Sequence, residues 1–123
     1  MSPAAWYARA LRYQQRFRTH ISRFFADFDI LLAPCTPFAA PRFSDTTIMV
    51  GARALEPAKH FGMLTQPISF AGLPVVTAPV VRAGRMPLGV QVIAAPFDEA
   101  ACLAAARHIE KGFENTQRTS IDT

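Results

Sequence analysis

Two cysteines, two lysines and six glycines are all that this 123-residue chain has of those types, and no stretch of it stays apolar for long. Cys35 and Cys102 lie far apart in sequence and form no C-x-x-C pair. That excludes a disulfide framework and points to a reduced, cytoplasmic protein. No apolar run approaches the roughly 18 residues that cross a bilayer, so no membrane partner is expected. The opening MSPAAWYARALRYQQRF lacks the apolar centre of a signal peptide, and nothing points to export. His20, His60 and His108 show neither H-x-x-x-H nor H-E-x-x-H spacing, and AGRMPLG lacks the GK[ST] ending of a phosphate loop. Neither a metal nor a cofactor is expected.

Acid is scarce too: nine acidic residues face thirteen basic ones, for a net charge of +4. Five arginines (Arg9, Arg12, Arg16, Arg18 and Arg23) sit in the first segment. They are not interleaved with stacking aromatics, and no helix-turn-helix or zinc pattern accompanies them, so they read as a solvated helix face and not as a nucleic-acid site.

What is present is an ordinary globular composition, half hydrophobic and 18% charged, in a length that allows one domain at most. Trp6, Ala10, Tyr13, Phe17, Ile21, Phe24 and Phe28 recur at steps of three and four, which predicts a helix over residues 3–26 with that stripe in a core. Ser2 and Pro3 suit its N-cap and first position. DILLAP then predicts a buried strand over 29–33. From Pro34 to Pro74 repeated prolines predict irregular chain, with only HFGMLTQ able to form a helical turn or two. Some 40 residues of that kind are rare in a compact domain unless they are functional or pack on something else.

VVTAPVV and LGVQVIAA, joined by RAGRMP, predict two paired strands over 75–81 and 88–95. Neither alternates with polar residues, so each is expected to be covered on both faces. EAACLAAARHIEK predicts a helix over 98–111, with acids at its start, Arg107, His108 and Lys111 near its end and Gly112 as its stop. FENTQRTSIDT reads as a polar, flexible tail over 113–123. Three strands and two helices cannot cover all those faces. The chain reads as a piece of a larger sheet.

DILLAPCTP, LTQPISFAGLPVVTAPV and MPLGVQVIAAPFDEAACLAAARHIE, in that order, resemble the C-terminal portion of the amidase signature family. In that family these regions typically read D-x-L-L-x-P-T-x-P, T-x-P-x-N-x-x-G-L-P and L-P-x-G-x-Q-x-I-G-x-x-F-D-E. The resemblance spans roughly residues 6–112 and implies an α/β fold: a partial amidase-signature fold whose mixed sheet is covered by helices, incomplete without the portion before it. Residues 1–112 would form the C-terminal part of an amidase domain. Ser69 stands where the family usually has Asn, and Cys35 lies in the first Pro loop where a Thr is usual.

The resemblance implies hydrolysis of a C–N bond in a carboxamide or ureido compound, or release of ammonia from glutamine in an amidotransferase subunit. The family works with a Ser–Ser–Lys set in a Gly/Ser-rich segment, because a Ser hydroxyl needs a base to become a nucleophile. No such segment exists here. Ser2, Ser22, Ser44, Ser69 and Ser120 are scattered singly, and no catalytic residue is assigned. Cys35, His60 and Asp45 could be cast as a thiol triad, but a lone Cys beside prolines reads more simply as a packing residue. For substrate binding the resemblance points to Thr36, Leu64, Thr65, Ile68 and Ser69, on two Pro-rich loops. The expected partners are a small amide substrate and the missing N-terminal half or a homologous chain. A stand-alone binding module and a subunit completed in trans remain the alternatives.

Overall fold

Apolar residues at steps of three and four do wind the first segment into a helix. In the computed structural model, which describes residues 3–81 and 84–121, α1 runs Pro3–Ser22 and tightens into a 3₁₀ turn at Arg23–Ala26. The Ser2 cap lies outside the described residues. Three strands follow the expected positions: β1 at Ile30–Pro34, β4 at Val75–Val80 and β5 at Leu88–Ala94. Between them lie β2 (Ile48–Val50), β3 (Arg53–Leu55), α2 (Pro57–His60) and α3 (Gln66–Ala71). The closing helix, α4, spans Glu99–Ile121.

The proline-rich stretch is more regular than its composition predicts. Gly51, at φ +60°, turns β2 back on β3 in a two-residue loop that needs a positive φ. Three-residue strands are too short to leave a period in the sequence. Pro57 and Pro67 sit in the first turns of α2 and α3, where the missing N–H costs nothing. Gly72, at φ +66°, closes α3 by donating its N–H to the carbonyls of Ile68 and Ser69, both at 3.1 Å.

The main sheet has the order β1-β5-β4, and both pairings are antiparallel: Leu32 lies opposite Val92 on one side, and Val76 opposite Val92 on the other. The sequence suggested a mixed sheet; these three strands contribute only antiparallel pairs. The segment joining β4 to β5 includes Arg82 and Ala83, which lie outside the described residues.

Alternation along β5 separates two cores. On one face Ile93 packs with Ala71 and Leu73, against Phe17 and Ile21 of α1 and Ile68 of α3. On the other, Val92 packs with Ala78 and Ala106, joined by Ile109 of α4. Asp98 starts α4 by accepting the Ala101 N–H at 3.2 Å, a side-chain cap on the first turn.

Three expectations need correction. Neither β1 nor β4 is covered on both faces: in β1 Leu32 and Pro34 are exposed and no residue is fully buried, and in β4 Val75, Thr77 and Pro79 are exposed, alternating with half-buried or buried Val76, Ala78 and Val80. A continuous apolar run therefore marks one bare strand face here as well as a buried strand. The stripe of α1 is only partly core. Phe17 and Ile21 pack, whereas Trp6 and Tyr13 of α1, Phe24 of the 3₁₀ turn and Phe28 beyond it stay exposed. Gly112 does not stop α4, which continues to Ile121, since a single glycine costs a helix only about 1 kcal/mol.

Candidate functional site: two loops joined beneath by a buried glutamine

The two Pro-rich loops carrying the predicted substrate residues meet above β5. β1 ends at Pro34 and runs into Cys35, Thr36 and Pro37. The second loop follows α2 through a 3₁₀ turn at Phe61–Met63 into Leu64 and Thr65. Gln91, in the centre of β5, is 1% exposed and is the one buried polar side chain among the described residues. Its Nε2 donates to the Pro34 carbonyl at 2.9 Å and to the Leu64 carbonyl at 3.1 Å. One amide nitrogen, carrying two hydrogens, thus ties together two loops that are well separated in sequence. Two carbonyl acceptors fix which end of the amide is the nitrogen. The Phe38 and Phe61 rings, from the same two segments, meet edge to face with centroids 5.1 Å apart.

The structure brings some of the predicted residues together and disperses others. Thr36 is half-buried, and its hydroxyl donates to the Phe38 carbonyl at 2.7 Å. Thr65 is half-buried, with its hydroxyl on the Gly62 carbonyl at 3.2 Å. Each hydroxyl oxygen keeps lone pairs with which to accept a hydrogen bond. Leu64 is half-buried, and its carbonyl is held by Gln91. Ile68 packs onto the core formed by Ala71, Leu73 and Ile93. Ser69 is exposed and, with Thr65, lines a groove between α1 and α3 of about 780 Å³ walled by Tyr13, Phe17 and Phe70. There the Phe17 and Phe70 rings lie 5.8 Å apart, and Gln14 donates to the Phe70 carbonyl at 2.8 Å.

Gln91 was not among the residues singled out from sequence. Two signals were available: the Gln of the pattern L-P-x-G-x-Q falls at this position, and it is a lone polar residue in LGVQVIAA where every neighbour predicts burial. A buried amide must find partners.

Cys35, His60 and Asp45 each engage other groups. The Cys35 thiol lies 3.3 Å from the Thr77 hydroxyl, His60 Nδ1 lies 2.9 Å from the Glu56 carbonyl, and Asp45 accepts the Arg42 N–H at 3.0 Å. None of these contacts joins one member of the supposed triad to another. Cys102 is 1% exposed and donates to the Pro74 and Val92 carbonyls, both at 3.2 Å. Burial raises its pKa, and the neighbouring Asp98 and Glu99 carboxylates add to the rise. The result is an unreactive thiol. Among the described residues no cluster of His, Cys, Asp or Glu could hold a metal, and no helix is long and apolar enough to cross a membrane.

Comparison with known proteins identifies the class to which this arrangement of loops and sheet belongs. The family model described as Amidase matches residues 1–103, and the chain belongs to that family. It is 43% identical over 112 residues to AtzE, the 1-carboxybiuret hydrolase subunit of Pseudomonas sp. (strain ADP), a match covering 89% of this chain and 24% of that protein. It is 30% identical over 112 residues to a glutamyl-tRNA(Gln) amidotransferase subunit of Methanococcoides burtonii, covering 89% of this chain and 22% of that one.

Solved structures agree. One, described as an unexpected vestigial protein complex revealing the evolutionary origins of an s-triazine catabolic enzyme, superposes with a TM-score of 0.80 at 42% identity, over 91% of this chain and 25% of that one. Another, described as the crystal structure of amidase, superposes with a TM-score of 0.79 at 25% identity, over 87% of this chain and 25% of that one. The chain spans about a quarter of the length of the relatives it matches.

Proposed function

We propose that these residues form the acyl-pocket part of an amide hydrolase whose Ser–Ser–Lys machinery is carried on protein outside the 123 residues. The observation that carries the reading is a pairing of presence and absence. The family match runs over residues 1–103, yet the sequence has no Gly/Ser-rich segment from which a nucleophile and its base could come. In this reading Thr36, Leu64 and Thr65 sit on the loops that Gln91 joins, and the threonine hydroxyls accept hydrogen bonds from substrate N–H groups. Ile68 backs the second loop from the core, and Ser69 lies at its outer edge.

Identity of 43% to a 1-carboxybiuret hydrolase subunit, against 30% to an amidotransferase subunit, favours a hydrolase acting on a ureido or carboxamide C–N bond. A stand-alone binding module fits less well, because the bare β4 face and the exposed aromatics of α1 ask for more protein.

The test is an exchange. Residues 6–112 replace the matching quarter of the Pseudomonas relative, and hydrolysis of 1-carboxybiuret is followed by ammonia release. The chimera is expected to turn over, and the isolated chain to hydrolyse no amide above background. Turnover of glutamine or a simple aliphatic amide by the isolated chain, abolished by Cys35→Ala, would overturn the reading and revive a thiol mechanism.

A further inference from the structure

We infer that Gln91 is a positioning residue that sets the spacing of the two pocket loops, and through it the range of acyl sizes the enzyme accepts. The inference rests on the proposed reading of those loops as the acyl pocket, and names the element that governs their geometry.

Burying this side chain is costly. A primary amide at 1% exposure has given up its water and must recover its hydrogen bonds from the protein. Val92, Ile93 and Ala94 beside it are apolar and 2% exposed or less, so a hydrophobic residue would satisfy the core. The amide recovers its bonds from two carbonyls that belong to no strand pairing with each other: Pro34 at the end of β1 and Leu64 in the second loop. Each carbonyl is next to or two residues from a proposed pocket residue, Leu64–Thr65 in one case and Pro34–Thr36 in the other. A strand is a rigid platform, and its amide nitrogen holds the two acceptors at 2.9 and 3.1 Å. The gap between the loops is thereby fixed from below. A displacement of about 1 Å at a reacting centre is enough to change rates by orders of magnitude, so a fixed gap is a specificity device.

Chemistry narrows the residue further. Glutamate has the same reach, but its ionised carboxylate would face two carbonyl oxygens with no hydrogen to offer. Methionine has similar length and volume and no donor at all. Asparagine is one methylene shorter and cannot span both acceptors from the same backbone position.

The experiment uses the enzyme assembled with its catalytic portion and a series of amides of increasing acyl size. Gln91→Met and Gln91→Glu are compared with Val92→Ala, an equally buried change on the opposite face of β5, beneath α4. The Gln91 variants are expected to shift the ratio of kcat/KM between the smallest and largest substrates by roughly 10-fold or more. Val92→Ala is expected to lower stability and leave that ratio unchanged. Folded Gln91 variants with the wild-type ratio would overturn the inference. Thr65→Val in the same series separates the two claims. If it moves the ratio and the Gln91 variants do not, the pocket reading stands and the positioning role falls; if none moves it, both fall. Should neither Gln91 variant accumulate as folded enzyme, the wild type answers by NMR of its glutamine side-chain amides. Saturation with a carboxylate product is expected to shift the Gln91 Nε2 hydrogens, and an unmoved pair would overturn the inference.

Discussion

Separated from the rest of an amidase, this chain should not behave as a finished domain, and the size of its surface says by how much. A compact monomer of 13.5 kDa exposes about 6,500 Å². This chain exposes 9369 Å². The excess of about 2,900 Å² is more than three times the roughly 800 Å² that each partner contributes to a standard interface. Much of it is apolar: Trp6 is 65% exposed, Tyr13 63%, Leu32 61% and Val75 39%. Two of these four side chains lie on β1 and β4, the outer strands of the sheet, whose unpaired backbone groups invite further strands. The isolated chain is therefore expected to self-associate in a concentration-dependent way, bind ANS and show weak near-UV circular dichroism. Replacing Leu32 and Val75 by lysine should raise the monomer fraction, measured by size exclusion with light scattering, because charge on an outer strand blocks edge pairing. That gain should come without a sharper melt, since the missing core is not restored. A wild-type chain that elutes as a monomer and melts in one sharp near-UV transition would refute the reasoning and favour a self-sufficient binding module.

Two further outcomes follow from local packing. In the assembled enzyme Gly89→Ala would bring its Cβ to 2.9 Å from Thr77 Cγ2 and 3.0 Å from Cys35 Sγ, and overpacking of this kind costs about 1–3 kcal/mol. Thr77→Ser removes the closest of those atoms, so a double-mutant cycle on thermal stability should show coupling of about 0.5 kcal/mol or more, and strict additivity would contradict it. Cys102 makes a pH prediction. Its folded pKa is raised, so above about pH 8.5 the folded thiol keeps a proton that the unfolded chain has lost. The thiol's contribution is full below that pH and declines as pH rises toward the folded value. The urea midpoint of the wild type should therefore fall more steeply above about pH 8.5 than that of Cys102→Ala, and parallel declines would refute the assignment.

How much of this was legible in the sequence depends on how many residues carried each signal. α1 announces itself by helical spacing sustained over several turns, α4 by acids at its start and bases near its end, and β1, β4 and β5 by continuous apolar runs. β2 and β3, with three residues each, are shorter than any period that could reveal them. Burial was harder than element type. An apolar run states that both faces avoid water but not where the covering protein lies. Hence β5 is covered within the chain, while Val75, Thr77 and Pro79 of β4 are bare. The loops with Thr36 and Thr65 followed from family resemblance; that they meet did not, because the contacts run through Gln91, a residue of neither loop, and through the ring pair Phe38–Phe61, which no sequence period marks.

The order of residues on β5 explains why that contact can form at all. Gly89, Gln91 and Ile93 point to one face, and each meets a different requirement there. Ile93 anchors the core beneath α1 and α3. Gly89 leaves a gap over the central strand, and through it Cys35, just after β1, reaches Thr77 on β4 at 3.3 Å. The Cys35 N–H also donates to the Gly89 carbonyl at 3.0 Å, which presses the start of the loop onto the sheet. Gln91, between them, then finds the Pro34 carbonyl at hydrogen-bonding distance while Leu64 closes from the other side. A side chain at position 89 would lift Cys35, and with it Pro34, away from the amide. The small, the polar and the bulky residue of this face are thus one arrangement: the glycine sets the height of the first loop, the glutamine joins it to the second, and the isoleucine holds the strand that carries both.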